Sequence, residues 1–315
     1  MNFLIIFLLI FALNSSLICH EYKNHAFVTC QESNNLFIIN LNNDKIVKSF
    51  KLGLAPAAID IDRVNGKVFI ANPDSNNVSI LNLSKEEITE INANKSPLGI
   101  IADSENSLVF VSNWYDNKIS VIDLNTKKIL TTIKVGKSPA GIDINKTLNL
   151  IAVANRDSNS VTLIDTNNYK NKKTILTQKS PFGVFFEPDG NLLAITNVQS
   201  NSVSFLDLKL NKIIKHIKVG DWPYQIAFNK KHKKAYVTNQ REDSISIIDY
   251  QKFEEEKKIV DICGYPEGIN TTKNVNSLVI SCWFDNEIVI YDLQTEEKKI
   301  IAVCEGPRSF GNFIF

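Results

Sequence analysis

The tetrad Tyr236-Val237-Thr238-Asn239 decides the fold of this chain, because the sequence repeats it. Four close echoes are Phe69-Ile70-Ala71-Asn72, Phe110-Val111-Ser112-Asn113, Ala152-Val153-Ala154-Asn155 and Ala194-Ile195-Thr196-Asn197, and two weaker copies are Phe27-Val28-Thr29-Cys30 and Val279-Ile280-Ser281-Cys282. The six steps from position 30 to position 282 cover 252 residues, which is a mean period of 42. The chain therefore contains seven repeats of one structural unit.

Each repeat has the same internal order. A polar turn such as Asp157-Ser158-Asn159-Ser160 follows the tetrad, and then comes an alternating strand that ends in an acid or amide, as in Val121-Ile122-Asp123. A Lys-rich strand and a loop lead to a proline, which a short apolar strand follows. The prolines are Pro56, Pro97, Pro139, Pro181, Pro223, Pro266 and Pro307. Short strands at this period predict an all-β, seven-bladed β-propeller with four-stranded blades.

The repeat resembles that of the YVTN family of β-propeller proteins. The tetrad at Tyr236, the segment Asn201-Ser202-Val203-Ser204 and the loop Val135-Gly136-Lys137-Ser138-Pro139 carry the resemblance, which covers residues 25–315. It implies that the strand after the proline is innermost, the tetrad strand second, the alternating strand third and the Lys-rich strand outermost. The last strand, Phe310 to Phe315, would then complete the blade that begins at about residue 25. The closing blade is thus expected to share the N- and C-terminal strands.

Residues 1–20 have the composition of a signal peptide. Phe3 to Leu13 is an unbroken run of 11 apolar residues, which is shorter than the ~20 that a membrane-spanning helix needs. We expect export and a mature propeller of residues 21–315 that is secreted or periplasmic. Two alternatives are a retained N-terminal anchor and a lipoprotein acylated on Cys19, although Ile18 is bulky for a lipoprotein signal. Membrane association is expected only through one of these routes.

Composition argues against several functions. The 35 basic and 34 acidic residues give a formal charge of +1, which does not favour nucleic-acid binding. The four histidines do not cluster in the sequence, the only methionine is the initiator, and no catalytic motif is recognisable. We therefore expect no cofactor and assign no catalytic residue.

A weak metal site is predicted in the central channel. Four residues after the proline, the repeats carry Asp60, Asp143 and Asn270, which strand alternation could aim into the channel. Their oxygens suit a hard cation such as Ca²⁺. The alternative is that they are hydrated polar groups in a wet channel.

One end of the ring is the predicted binding face. The turn after the tetrad and the loop around the proline meet there, and their variable positions become aromatic or charged. The candidate residues are Trp114, Tyr115, Arg156, Trp222, Tyr224, Arg241, Tyr265, Glu267, Trp283 and Arg308. Exposed Trp, Tyr and Arg are frequent at binding hot spots, so we expect these side chains to be exposed and to bind a partner. The alternative is that they pack loops against one another.

These residues favour an exported, non-catalytic propeller that binds a protein or a small molecule. The main alternative is a hydrolase or lactonase that acts through channel carboxylates, with or without a metal. A structural role in the cell envelope is a third possibility. The sequence does not identify the ligand.

The repeat register predicts two disulfides in an exported chain. Cys30 and Cys282 replace the tetrad Asn, and Cys263 and Cys304 each lie three residues before a proline, where other repeats have Gly136 and Gly220. In the blade order above, Cys263 meets Cys282 and Cys304 meets Cys30. The alternative is four free or metal-bound thiols in a reducing compartment.

Overall fold

The computed structural model describes residues 21–315, so the predicted signal peptide and Cys19 lie outside the described residues. The described chain forms strands that we number β1 to β28. Blade I comprises β4 (Ala58–Asp62), β5 (Lys67–Asn72), β6 (Asn77–Asn82) and β7 (Glu87–Asn92); blade II comprises β8 (Pro97–Asp103), β9 (Leu108–Asn113), β10 (Lys118–Asp123) and β11 (Lys128–Lys134); blade III comprises β12 (Pro139–Asn145), β13 (Leu150–Asn155), β14 (Ser160–Asp165) and β15 (Asn171–Leu176).

Three further blades continue the ring, and the chain ends meet in blade VII. Blade IV comprises β16 (Pro181–Phe186), β17 (Leu192–Asn197), β18 (Ser202–Asp207) and β19 (Lys212–Lys218); blade V comprises β20 (Pro223–Asn229), β21 (Lys234–Asn239), β22 (Ser244–Asp249) and β23 (Glu254–Ile259); blade VI comprises β24 (Pro266–Thr271), β25 (Ser277–Cys282), β26 (Glu287–Asp292) and β27 (Lys298–Ala302); blade VII contains β1 (His25–Cys30), β2 (Asn35–Asn40), β3 (Lys45–Lys51) and β28 (Phe310–Gly311). Two 3-10 turns, Arg156–Ser158 and Val198–Ser200, follow β13 and β17. The predicted all-β, seven-bladed propeller is confirmed.

The closing blade joins the two chain ends, as predicted. The segment from Pro307 to Phe315 runs antiparallel to β1, through bridges from Cys30 to Pro307 and from Ala26 to Ile314. The Phe27 amide donates to the Phe313 carbonyl at 2.7 Å. On its other side, β28 pairs in parallel with the inner strand β4 of blade I. This segment therefore holds the first and last blades together.

The tetrad asparagines have a structural role inside each blade. Asn113 Nδ2 donates to Ser120 Oγ at 2.9 Å, and the equivalent bond joins Asn197 to Ser204 at 2.8 Å. The same bond recurs in the five blades that have Asn at this position. These side chains are buried, so the bond satisfies amide N–H groups that water cannot reach, while the amide oxygen has no hydrogen-bond partner in four of the five blades.

A second recurring bond couples neighbouring blades. The residue before each repeating proline has a left-handed backbone, and its amide donates to the side chain that precedes the third strand of the adjacent blade. Examples are Ser138 to Asn117 Oδ1 at 3.0 Å and Trp222 to Asn201 Oδ1 at 3.2 Å. All seven junctions contain this bond. The repeat therefore specifies the contact between blades as well as the strands within them.

Both predicted disulfides are present, Cys30–Cys304 and Cys263–Cys282, with Cα–Cα distances of 5.7 and 5.8 Å. In three blades a loop glycine packs directly against the tetrad Asn; an added Cβ on Gly136 would lie 2.6 Å from Asn155 Cβ. In blades VI and VII a cysteine pair replaces this close contact.

Two disulfides are consistent with an oxidising, extracytoplasmic location. Within residues 21–315, no helix has the length and apolar character needed to cross a membrane.

Candidate functional site

The two loops of the predicted binding face do meet at one end of the ring. The Trp114 amide donates to the Ser96 carbonyl at 2.9 Å, and the Trp283 amide donates to the Tyr265 carbonyl at 3.1 Å. Each bond joins the turn after a second strand to the loop before an inner strand. We call the surface formed by these turns and loops the mouth face.

Two aromatic residues of the mouth face occupy positions that the backbone makes costly for them. The residue before the proline has a positive φ in every blade, and five blades place Ala, Ser or Gly there. Blades V and VI instead have Trp222, with φ 56°, and Tyr265, with φ 59°. A bulky side chain disfavours left-handed backbone, although the turns at Tyr169, Phe253 and Val275 also place bulky residues in this conformation.

Three arginines lie against aromatic rings at the mouth face. The guanidinium carbon is 3.4 Å from the ring centroid for Arg241 on Trp222, 5.7 Å for Arg156 on Trp114 and 5.8 Å for Arg308 on Tyr224. The whole chain has only one other arginine, Arg63, while lysine supplies the rest of its 35 basic residues. Arginine stacks on aromatic faces and offers a planar set of donors, which lysine does not.

Arg308 also takes part in a buried polar network. Its Nε lies 3.0 Å from Glu267 Oε2, its Nη2 donates to the Tyr224 hydroxyl, and Gln240 Nε2 donates to Glu267 Oε1 at 2.6 Å. The Nε–Oε2 contact is an ion pair without the alignment of a hydrogen bond. Burial raises the pKa of Glu267 to about 7, although the nearby Arg308 opposes that shift. Burial lowers the pKa of Arg308, but the neighbouring Glu267 carboxylate outweighs this effect and raises it.

An aromatic cluster fills the channel beneath the mouth face. The rings of Tyr224 and Phe182 stack with centroids 4.3 Å apart, and Phe310 meets each of them edge-on at 5.3 Å. Gln225 anchors the closing segment below them, since its Nε2 donates to the Gly311 carbonyl and its Oε1 accepts from the Gly311 amide, both at 2.9 Å. The chain's own residues therefore occupy this end of the channel.

Other aromatic side chains of the mouth face remain open to solvent. Tyr115 and Phe284 are 72% and 73% exposed. Trp283 lies between Tyr265 and Phe284, with centroid distances of 5.8 and 6.4 Å, and its Nε1 donates to Gln31 Oε1 at 3.0 Å. Tyr265, Trp283 and Phe284 thus form an aromatic row on blade VI beside Gln31 of blade VII, and Tyr115 lies apart on blade II.

The expectation that all ten candidate residues are exposed is wrong for most of them: only Tyr115 and Arg241 are exposed, six are half-buried, and Tyr224 and Glu267 are buried. Tyr224 and Glu267 are each 4% exposed, because the residue after the proline points into the mouth of the channel and packs there. Sequence reasoning missed Phe182 and Gln225, which lie one and two residues after their prolines, and Phe310. Comparing the repeats at the position after the proline would have found Phe182, since this position also holds Tyr224, Glu267 and Arg308.

The channel residues Asp60, Asp143 and Asn270 perform one common task. Asp60 Oδ2 accepts from the Ala102 amide at 2.8 Å, and Asp143 Oδ2 accepts from the Phe186 amide at 2.7 Å, in each case from the next blade. Asn270 Oδ1 accepts from the Phe313 amide at 2.9 Å. Burial raises the pKa of both aspartates, that of Asp143 to about 7. The predicted cation site remains a prediction.

Comparison with known proteins supports the fold. No protein-family model matches the sequence, and no curated protein matches it either. The chain is similar to the structure of Kuenenia stuttgartiensis hydrazine synthase, with 19% identity, a TM-score of 0.71 and coverage of 81% of this chain and 88% of that one.

Two further solved structures are similar. The dihydro-heme d1 dehydrogenase NirN in complex with DHE has 14% identity, a TM-score of 0.69 and coverage of 90% and 74%. A functionally unknown protein from Desulfotomaculum acetoxidans has 14% identity, a TM-score of 0.77 and coverage of 92% and 100%. At these identities the likeness shows the fold alone, since propellers host unrelated functions.

Proposed function

We propose that this protein is an exported propeller of the YVTN type that binds a protein or a small molecule on its mouth face without catalysing a reaction. The observation that carries the proposal is the placement of arginine. Three of the four arginines in the chain lie against aromatic rings on this one face. Stacked Arg and Trp side chains are enriched at binding hot spots because they offer large contact area and directed donors.

Two further features support binding at the surface. The rings of Phe182, Tyr224 and Phe310 fill the channel beneath the mouth face, which leaves the exposed rim for a partner. Trp222 and Tyr265 also occupy left-handed positions where the repeat uses small residues in other blades. Their rings give the mouth face aromatic contact area that the other blades lack at this position.

The experiment is a comparison of matched variants. The mature protein and the double variant Trp222→Ala/Arg241→Ala are immobilised and exposed to native culture medium and to solubilised envelope. Lys128→Ala, on the exposed outer strand of blade II, is the control. A ligand retained by the wild type and the control, but lost from the double variant, supports the proposal. Equal retention by all three proteins, or by none, contradicts it.

Export is part of the same proposal. The composition of residues 1–20 and the two disulfides support a secreted or periplasmic protein. The mature N-terminus is expected between Ser16 and Lys23. Intact mass of the exported protein tests this: the full-length mass would indicate an anchor instead, and added acyl mass on Cys19 would indicate a lipoprotein.

The second candidate function is hydrolysis through the channel carboxylates. One observation favours it: Asp60 and Asp143 line the same cavity of about 510 Å³, and burial raises the pKa of Asp143 to about 7, near the value of a useful general acid or base. Turnover of a lactone panel that Asp143→Asn abolishes would establish the enzyme. Activity that EDTA removes and Ca²⁺ restores would add the metal.

A further inference from the structure

We propose that the channel end opposite the mouth face binds a small amphipathic amine. Its ammonium group would pair with the Asp143 carboxylate, and its apolar body would pack against Phe185 and Phe228. This site is separate from the mouth face, so it does not depend on the binding function proposed above.

The site is a cavity of about 390 Å³ with a mixed polar and apolar lining. Phe185, Phe186 and Phe228 line it, and each of them is partly exposed. Asp143 and Asn270 line it as well, together with two cationic side chains, Arg63 and Lys273. Small-molecule sites are concave and combine apolar surface with a few fixed polar groups.

Asp143 lies at the centre of a larger basin. The cavity of about 510 Å³ that Asp60 lines shares Arg63, Asp143 and Asn312 with the first cavity, so both cavities open onto the same carboxylate. Asp143 lies deep among protein atoms and is nevertheless partly exposed to this basin. A ligand in either cavity can therefore reach it.

Within the described part of the chain, the carboxylate of Asp143 has no ion-pair partner, although Arg63 lines both cavities with it. Its oxygens accept from the amides of Phe186 at 2.7 Å and Ile144 at 2.8 Å, and no lysine or arginine nitrogen of residues 21–315 forms an ion pair with it. Glu267, which is similarly buried, has Arg308 as its counter-charge. Because an ionised carboxylate has more acceptor sites than two amides fill, Asp143 can still accept from a bound ammonium group.

The aromatic rings favour an organic cation over a metal ion. A hard metal ion gains from a shell of oxygen ligands and nothing from phenylalanine rings. An ammonium group gains from the carboxylate and from adjacent ring faces, and an apolar body gains from covering Phe185 and Phe228. The ligand class that matches both the carboxylate and the aromatic rings is therefore a primary or substituted amine with an apolar body.

Binding should strengthen as pH rises through about 7, where Asp143 loses its proton. The other charged side chains that line the two cavities are Asp60, Asp62, Arg63, Glu105, Lys146 and Lys273. Of these, Arg63, Lys146 and Lys273 repel a cation, whereas Asp60 has a pKa raised by burial and adds to the attraction for a cation as it ionises with rising pH.

The test is calorimetric titration of the full mature protein with 2-phenylethylammonium at pH 6 and pH 8. The neutral analogue 2-phenylethanol, which has the same apolar body, is titrated in parallel. The amine is expected to bind about tenfold more tightly than the alcohol at pH 8, with a smaller difference at pH 6. Asp143→Asn should remove about this tenfold preference, which corresponds to ~1.4 kcal/mol. The control Glu255→Gln removes an exposed carboxylate on β23 and should leave binding unchanged.

Several outcomes would overturn the proposal. Equal binding of amine and alcohol would remove the role of the carboxylate, and stabilisation by CaCl₂ without amine binding would make this a metal site. The absence of binding by either probe would also contradict it. If Asp143→Asn does not fold, Phe228→Leu is used instead and must weaken the amine and the alcohol equally. Trp222→Ala, which alters only the mouth face, must not change amine binding.

Discussion

The guanidinium carbon of Arg241 lies 3.4 Å from the centroid of the Trp222 ring, and Trp222 itself has a left-handed backbone. Arg241 is exposed and forms no ion pair with a carboxylate of residues 21–315. Its guanidinium edge is thus available to a partner while the ring fixes its direction. This pairing is the most specific feature of the mouth face.

Arg241→Lys is expected to weaken partner binding nearly as much as Arg241→Ala, because lysine keeps the charge and loses the planar stack. An exposed stack of this kind contributes about 0.5–1 kcal/mol, so the melting temperature should fall only slightly. Binding of the ligand captured by the wild-type protein is the measurement. Full binding by Arg241→Lys would show that charge alone matters there.

Glu267→Ala is expected to lower the free energy of unfolding by about 3–5 kcal/mol, because it leaves Arg308 buried without its counter-charge. The double variant Glu267→Leu/Arg308→Met should recover most of this loss. Urea unfolding provides the measurement. The exposed pair Arg156–Asp157 is the matched control, and Asp157→Asn should cost less than about 1 kcal/mol. Equal losses at both pairs would contradict the importance of burial.

The two disulfides are expected to differ in their effect on stability. Cys30 and Cys304 are 274 residues apart in sequence, whereas Cys263 and Cys282 are 19 apart. The chain-entropy treatment gives upper values of about 5–6 kcal/mol for the first bridge and about 3 kcal/mol for the second.

Paired Cys→Ala variants, unfolded in urea, test this order. Cys30→Ala/Cys304→Ala should be the less stable of the two and should also open blade VII, which amide hydrogen exchange in β1 would detect. A larger loss on removing Cys263–Cys282 would show that local packing outweighs closure of the ring.

Asp143 is expected to make stability fall as pH rises. Its pKa in the folded protein is about 7, above the ordinary value of about 3.9 for an unfolded chain, so the folded state holds the proton more tightly. The contribution of Asp143 to the free energy of unfolding is therefore fully present below pH ~4 and is lost as pH rises through about 7.

Asp143→Asn should remove this dependence. The melting temperature of Asp143→Asn minus that of the wild type should be larger at pH 8 than at pH 5. Glu255→Gln should have the melting temperature of the wild type at both pH values. Differential scanning calorimetry across this range is the measurement. Parallel curves for wild type and Asp143→Asn would show that the carboxyl titrates normally.

The sequence by itself determined the ring, its closure and the cysteine pairing. These features depend on the register of the strands within each repeat, and the seven copies of the tetrad and the proline define that register in every repeat. Cys30 and Cys282 replace the tetrad Asn in the two blades where Cys263 and Cys304 replace the loop residue, so the blade order alone pairs them. Local repetition carries this information because each blade contacts mainly its neighbours.

Only the tertiary structure decided which face residues are exposed and what each of them contacts. Tyr224 and Trp222 are two residues apart, yet one is buried in the channel mouth and the other lies under Arg241. Phe182, Tyr224 and Phe310 come from blades IV, V and VII and meet only where the inner strands surround the channel. Such contacts depend on where side chains from several blades converge, and no single repeat encodes that convergence.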